Sequence, residues 1–170
     1  TRGYHLLNRT WTSGAVVGKP ALVVEAESGD LAGGAEVVDV GGAKAVRTTP
    51  DDGSGFTVPV RGLPTATYAI RVRYTNPTET SARLTLESDG PPRGENEVPY
   101  YIPLHLPPTT DGEFKTTSFL WSLYDATTHL RVAWRPGRTW GSREKPEYDD
   151  VGSAVIDRVE LVKVHPFALP

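Results

Sequence analysis

The chain has 170 residues, 15 prolines, 17 glycines, no cysteine and a formal net charge of −3. That length suits one domain with a sizeable core, and the missing cysteines exclude disulfides, thiolate metal sites and a cysteine nucleophile. The near-balanced charge gives no case for nucleic acid or a membrane surface as partner, and no apolar stretch approaches the ~20 residues of a membrane span.

Residues 1–20 read as an N-terminal extension or linker and residues 21–170 as the folded domain. Because the chain opens on Thr1 and lacks a signal peptide's apolar centre, it is expected to be a piece of a larger protein. From residue 21 onward the pattern is strands and little else. The first, 21–28, places Glu25 and Glu27 on one face, roughly 6–7 Å apart, with Val24 and Ala26 turned to the core. Short β-branched or alternating runs follow near 35–40, 44–49 and 55–60. In the run 67–76, Tyr68, Ile70, Val72 and Tyr74 share one face against Ala69, Arg71, Arg73 and Thr75. After a run near 82–87, Pro99 and Pro103 mark 98–106 as an edge strand, because proline cannot donate to a ladder. Further runs lie near 114–124, 128–134 and 154–164, with Gly and Pro turns between them. About ten short strands with tight turns predict an all-β fold, an antiparallel β-sandwich or jelly roll.

Two like charges on a half-buried strand face need a counter-charge. A solvated face balanced by Lys or Arg supplies one; so does a hard divalent cation, which prefers oxygen ligands. Asp157, in strand parity with Val155, Val159 and Leu161, is expected to point inward, where a carboxylate requires a partner. If the first and last strands pair, Asp157 joins Glu25 and Glu27, and a structural metal clasp becomes the favoured reading.

At this point the residues match a family pattern. Val24-Glu-Ala-Glu27, Gly33-Gly-Ala35, Gly41-Gly-Ala-Lys-Ala-Val46, Gly55-Phe-Thr-Val-Pro-Val60, Thr67-Tyr-Ala-Ile-Arg-Val-Arg-Tyr-Thr-Asn76 and Ile156-Asp-Arg-Val159 occur in that order. The ordered set resembles the non-catalytic carbohydrate-binding modules of families 6 and 35. The resemblance implies a galactose-binding-like β-sandwich with a structural calcium ion held by Glu25, Glu27, the carbonyl of Lys44, and Asp157. It also implies an extracellular or cell-surface setting and covalent attachment to a larger glycan-active protein.

A ligand site is expected where alternate loops meet at one end of the sandwich, near 49–55, 75–81, 107–114 and 135–153. These loops carry Asp52, Asn76, Phe114, Trp140, Tyr148 and Asp149. The longest, 135–150, offers an aromatic plate for the C–H face of a sugar and carboxylates for its hydroxyls. The resembling families place their main sugar cleft at this end. The chain departs from them in lacking a clear aromatic after the third strand, and in having Gly152-Ser-Ala154 where they have Asn before the last strand. Three readings follow: a calcium-stabilised module that binds polysaccharide or oligosaccharide; a β-sandwich of the same ancestry serving as spacer or protein contact; or an enzyme using Glu25 and Glu27 as an acid–base pair. The third is disfavoured, because two equivalent strand neighbours do not provide the different environments that split carboxyl pKa values. No catalytic residues are assigned.

Overall fold

The computed structural model describes residues 19–90, 100–109, 112–135 and 153–164. Among these the elements are β1 (Leu22–Glu25), a 3-10 turn (Ala26–Ser28), β2 (Asp30–Ala32), β3 (Glu36–Val40), β4 (Ala43–Arg47), β5 (Gly55–Pro59) and β6 (Ala66–Thr75). β7 (Ala82–Ser88), β8 (Tyr100–Leu106), β9 (Lys115–Leu123), β10 (His129–Ala133) and β11 (Val155–Lys163) complete them. One sheet runs β3-β4-β11-β6-β9 with β1 also paired to β11, and the other runs β2-β5-β10-β7-β8. Every strand pair is antiparallel. The fold is the predicted antiparallel β-sandwich.

Period-two alternation explains the core between the sheets. Tyr68, Ile70, Val72 and Tyr74 of β6 meet Ile156, Val159 and Leu161 of β11, and Phe56, Val58, Leu84, Leu86, Leu104, Leu130 and Val132 come from the facing sheet. Each such aliphatic or aromatic side chain contributes about 1.5–3 kcal/mol when fully buried. The two core tyrosines keep their hydroxyls bonded, Tyr68 to the Pro64 carbonyl at 2.6 Å and Tyr74 to that of Pro107 at 3.3 Å. Gly55 is required by close approach: a Cβ there would lie 1.8 Å from the Val132 carbonyl oxygen of β10. Among the described residues the proline-bearing β8 is an edge strand, paired to β7 alone.

Two expectations need correction. Residues 21–28 do not form one strand. β1 ends at Glu25, and residues 26–28 close a 3-10 turn in which Ser28 Oγ donates to the Glu25 carbonyl at 2.7 Å and the Gly29 N–H to that of Ala26 at 3.1 Å. Val24 and Ala26 are buried as expected, but Glu25 and Glu27 are not strand neighbours. Second, Asp157 does not keep parity with Val159 and Leu161. Ile156 registers with Tyr74 and Arg158 with Arg73, so Asp157 is an extra residue in a β-bulge. The bulge brings the Asp157 carboxylate to Arg73, on the sheet face opposite the core.

The four loops singled out above do converge at one end, wherever their residues are described. The Thr48 N–H donates to the Ala154 carbonyl at 2.9 Å and Ser153 Oγ to that of Thr48 at 2.6 Å. Gly53 N–H donates to Trp134 O at 2.8 Å, and Thr109 N–H to Asn76 O at 2.8 Å. Asn76, fully buried, ties three segments together. Its amide nitrogen donates to the carbonyls of Thr80 and Leu106, each at 2.9 Å, while its Oδ1 accepts from the Thr78 N–H at 3.0 Å and hydroxyl at 2.5 Å. Asn76→Ala strands those partners, so it is expected to destabilise the domain by about 2–3 kcal/mol in urea unfolding followed by tryptophan fluorescence. A loss below about 0.5 kcal/mol, the ordinary range for surface substitutions, would show that the loops are held by other contacts.

Candidate functional site

The acidic cluster forms where the sheet edge changes partner. Along one edge of β11, β4 registers at Val155 and Ile156 and β1 at Arg158 to Leu161, leaving the bulged Asp157 between them. Glu25 ends β1 directly opposite Arg158. The 3-10 turn with Glu27 packs against both β4 and β11. Lys44 lies on β4, two positions before Val46, the residue that registers with Ile156. The first and last strands thus pair as expected, and Glu25 lies close enough to Asp157 and Glu27 to interact with them electrostatically.

Charge at this junction is unbalanced. Partial burial, then the Asp157 and Glu27 carboxylates, push the Glu25 carboxyl above its ordinary value, against the lowering effect of Arg158. Glu27 Oε2 is buried and has no hydrogen-bond partner. Asp157 is 4% exposed and pairs with Arg73, Nη1 to Oδ2 at 2.5 Å. Among the described residues no three acidic or imidazole side chains already close into a metal-holding group. The donors present are nevertheless all oxygens, one of them buried and unsatisfied, which is the chemistry a hard cation such as calcium takes.

The loop-end residues have separate roles. Asn76 is consumed by the knot described above, and contact with a ligand would cost those bonds. Phe114 lies beneath Arg73, whose guanidinium sits 4.4 Å from the ring centroid, a cation–π arrangement. Asp52 is exposed at the rim of an ion pair, 3.4 Å from Arg135, which in turn holds buried Glu87 at 2.8 and 3.3 Å. Trp140, Tyr148 and Asp149 lie outside the described residues.

Sequence reasoning missed two features. Buried Glu87 and part-buried Arg135 form an ion pair on the β7–β10 side, and Glu87 Oε1 also accepts from Thr85 Oγ1 at 3.0 Å. Glu87 shares parity with Arg83 and Thr85 rather than with core Leu84 and Leu86, which marks an outward position but not a partner. The second is an open groove of about 300 Å³ lined by Arg71, Arg73, Thr116, Arg158 and Glu160, on the outer face of the β11-β6-β9 strands. Arg71 and Arg73 are legible as sharing a face. The register that sets Arg158 and Glu160 against them is not.

No protein-family model matches the chain, and none of the curated proteins matches it in sequence. Solved structures do match in shape. The carbohydrate-binding module CBM36 in complex with calcium and xylotriose superposes with a TM-score of 0.57 at 16% identity, over 82% of this chain and 98% of that one. A CBM6 module from Cellvibrio mixtus lichenase 5A, in complex with cellotriose, gives 0.57 at 17% identity, over 86% and 100%. The exo-β-1,3-galactanase of Phanerochaete chrysosporium, solved with galactose, gives 0.54 at 16% identity over 82% of this chain, which spans only 29% of that enzyme. The chain therefore has the β-sandwich fold of carbohydrate-binding modules.

Proposed function

We propose that this chain is a non-catalytic carbohydrate-binding module of a larger, extracellular or cell-surface glycan-active protein, stabilised by one calcium ion. The observation that carries the reading is its near end-to-end superposition on two modules whose structures contain xylotriose and cellotriose. Calcium is held in this reading by Glu25, Glu27, Asp157 and the Lys44 carbonyl. The unsatisfied Glu27 oxygen and the carboxylate crowding at Glu25 support it. The ion offsets the like charges and clamps β1, the 3-10 turn and β4 onto the bulge of β11.

Sugar binds at the loop end, with Trp140 and Tyr148 as apolar plates and Asp52 and Asp149 as hydroxyl partners. Asn76 serves as the scaffold of that end, and Phe114 supports Arg73. A second reading, a spacer or protein-contact domain, draws on the same Asn76: its amide is spent inside the fold, so one expected polar contact is withdrawn from the ligand. Neither reading involves turnover.

Metal removal tests the calcium half. At a hundredfold excess over its dissociation constant, a ligand that binds only the folded state adds about 2.7 kcal/mol. Metal-stripped protein is expected to melt at a lower temperature and to recover on adding calcium; a melting curve indifferent to both would count against the ion. Affinity over a panel of neutral and charged oligosaccharides tests the other half. Trp140→Ala is expected to cost about 1–3 kcal/mol, the value of a well-covered aromatic face, and Asp149→Ala less. No binding to any member of the panel would leave the spacer reading.

A further inference from the structure

The groove on the outer face of β11, β6 and β9 is built from two cross-strand rows. Arg158, Arg73 and Thr116 stand opposite one another in the first, and Glu160, Arg71 and Ser118 in the second. Arg158 and Arg73 are thus like charges in directly opposed positions, an arrangement that destabilises a sheet unless an anion offsets it. Three guanidiniums share two carboxylates: Arg71 Nη2 reaches Glu160 Oε2 at 2.7 Å, Arg158 Nε lies 3.0 Å from Glu160 Oε1, and Arg73 takes Asp157. Glu25 stands opposite Arg158 on β1 as a third carboxylate outside the groove, whose own lining sets three guanidiniums against Glu160 alone. Arg71 Nε and Arg158 Nε are buried without a hydrogen-bond acceptor, the latter although 3.0 Å from Glu160 Oε1, so the forks present their terminal nitrogens to the groove.

The vertical arrangement decides the sign of the surface. The carboxylates lie underneath, with 6% of the Asp157 and 16% of the Glu160 side chain exposed, whereas Arg71, Arg73 and Arg158 keep 26%, 35% and 38% open. An approaching molecule meets guanidinium forks, with the Thr116 side chain among the groove walls. Phe114 backs Arg73 and holds its plane. Planar forks of this kind match a carboxylate or sulfate two donors at a time. At about 300 Å³ the groove is at the small end of ligand sites, a size for one charged unit rather than a polyanion. The chain's net charge of −3 likewise disfavours nucleic acid.

We propose that this groove binds a carboxylate- or sulfate-bearing sugar residue of an acidic glycan, at a site separate from the loop end. The proposal rests on the carbohydrate-binding reading and adds the ligand class. The charged group sits between Arg71, Arg73 and Arg158, and a ring hydroxyl reaches Thr116. Arg71 offers its Nη2 to the ligand, and Glu160, which holds that nitrogen at 2.7 Å, competes for it.

The test is titration of the whole chain, in calcium-containing buffer, with oligogalacturonate, with its carboxyl-reduced neutral counterpart and with a sulfated galactan oligosaccharide. Nitrogen-15 NMR of the arginine Nε–H signals gives the location and calorimetry the affinity. The charged sugars are expected to shift the Arg71, Arg73 and Arg158 signals and the neutral one to leave them still. A response to the uronate alone or to the sulfate alone identifies the group recognised. Arg71→Gln is expected to weaken the charged ligand about tenfold, the value of one charge-assisted hydrogen bond, and Glu160→Gln to strengthen it. Trp140→Ala is expected to leave the arginine shifts in place. If charged and neutral sugars bind equally and Arg71→Gln changes nothing, the groove proposal falls while the carbohydrate-binding reading stands. If no saccharide binds, both fall; if an acidic peptide shifts the same signals as strongly as the sugars, the groove is a protein contact and the proposal is overturned.

Discussion

Much of this domain depends on one extra residue in a central strand. β11 carries β6 along one edge and both β4 and β1 along the other, and the bulge at Asp157 falls where that second edge changes partner. A bulge there inserts a carboxylate that is almost fully buried. Burying such a charge costs several kcal/mol unless cationic groups and hydrogen bonds compensate. Arg73 compensates from one side, across the strand pair. On the other side stand Glu25 and Glu27, which add to the negative charge. The bulge therefore divides the sheet's outer surface into an acidic junction and a basic groove a few residues apart.

That division accounts for features that look unrelated when taken singly. Arg73 is shared, paired to Asp157 and stacked on Phe114, so it links the acidic junction to the groove floor. A cation at the junction would take over part of the work of neutralising Asp157, leaving Arg73 freer to face the groove. The loop end is organised by different means. Its polar groups are spent in neutral hydrogen bonds around Asn76, Thr109 and Thr48, which tie the described ends of its segments together. Stability of those ties and availability of ligand contacts pull in opposite directions, and at Asn76 stability prevails.

Much of the architecture was legible in the residues. Alternation in Tyr68 to Tyr74 fixed which face of β6 is buried, and Pro103 marked the edge strand, since both follow from local geometry. Pairing of the first and last strands was also foreseeable. What failed was parity carried across irregularities. Ser28 and Gly29 turn the chain out of β1 after Glu25, and the bulge shifts Asp157 by one position; each breaks a period-two count by a single residue. The arginine groove was hidden for another reason. A strand pattern says which residues share a face, but the register that sets Arg158 against Arg73 and Glu160 against Arg71 belongs to the folded sheet.

The central claim is that the bulged Asp157 sits between two cationic partners, Arg73 and a calcium ion shared with Glu25 and Glu27. A crystal structure of the protein grown with calcium, with anomalous diffraction to identify the metal, addresses it directly. The account predicts one calcium peak at the β1–β4 junction, bound by oxygens of Glu25, Glu27, Asp157 and the Lys44 carbonyl. A junction without metal at saturating calcium, with Asp157 held by Arg73 alone and the Glu27 carboxylate satisfied by water, would contradict it.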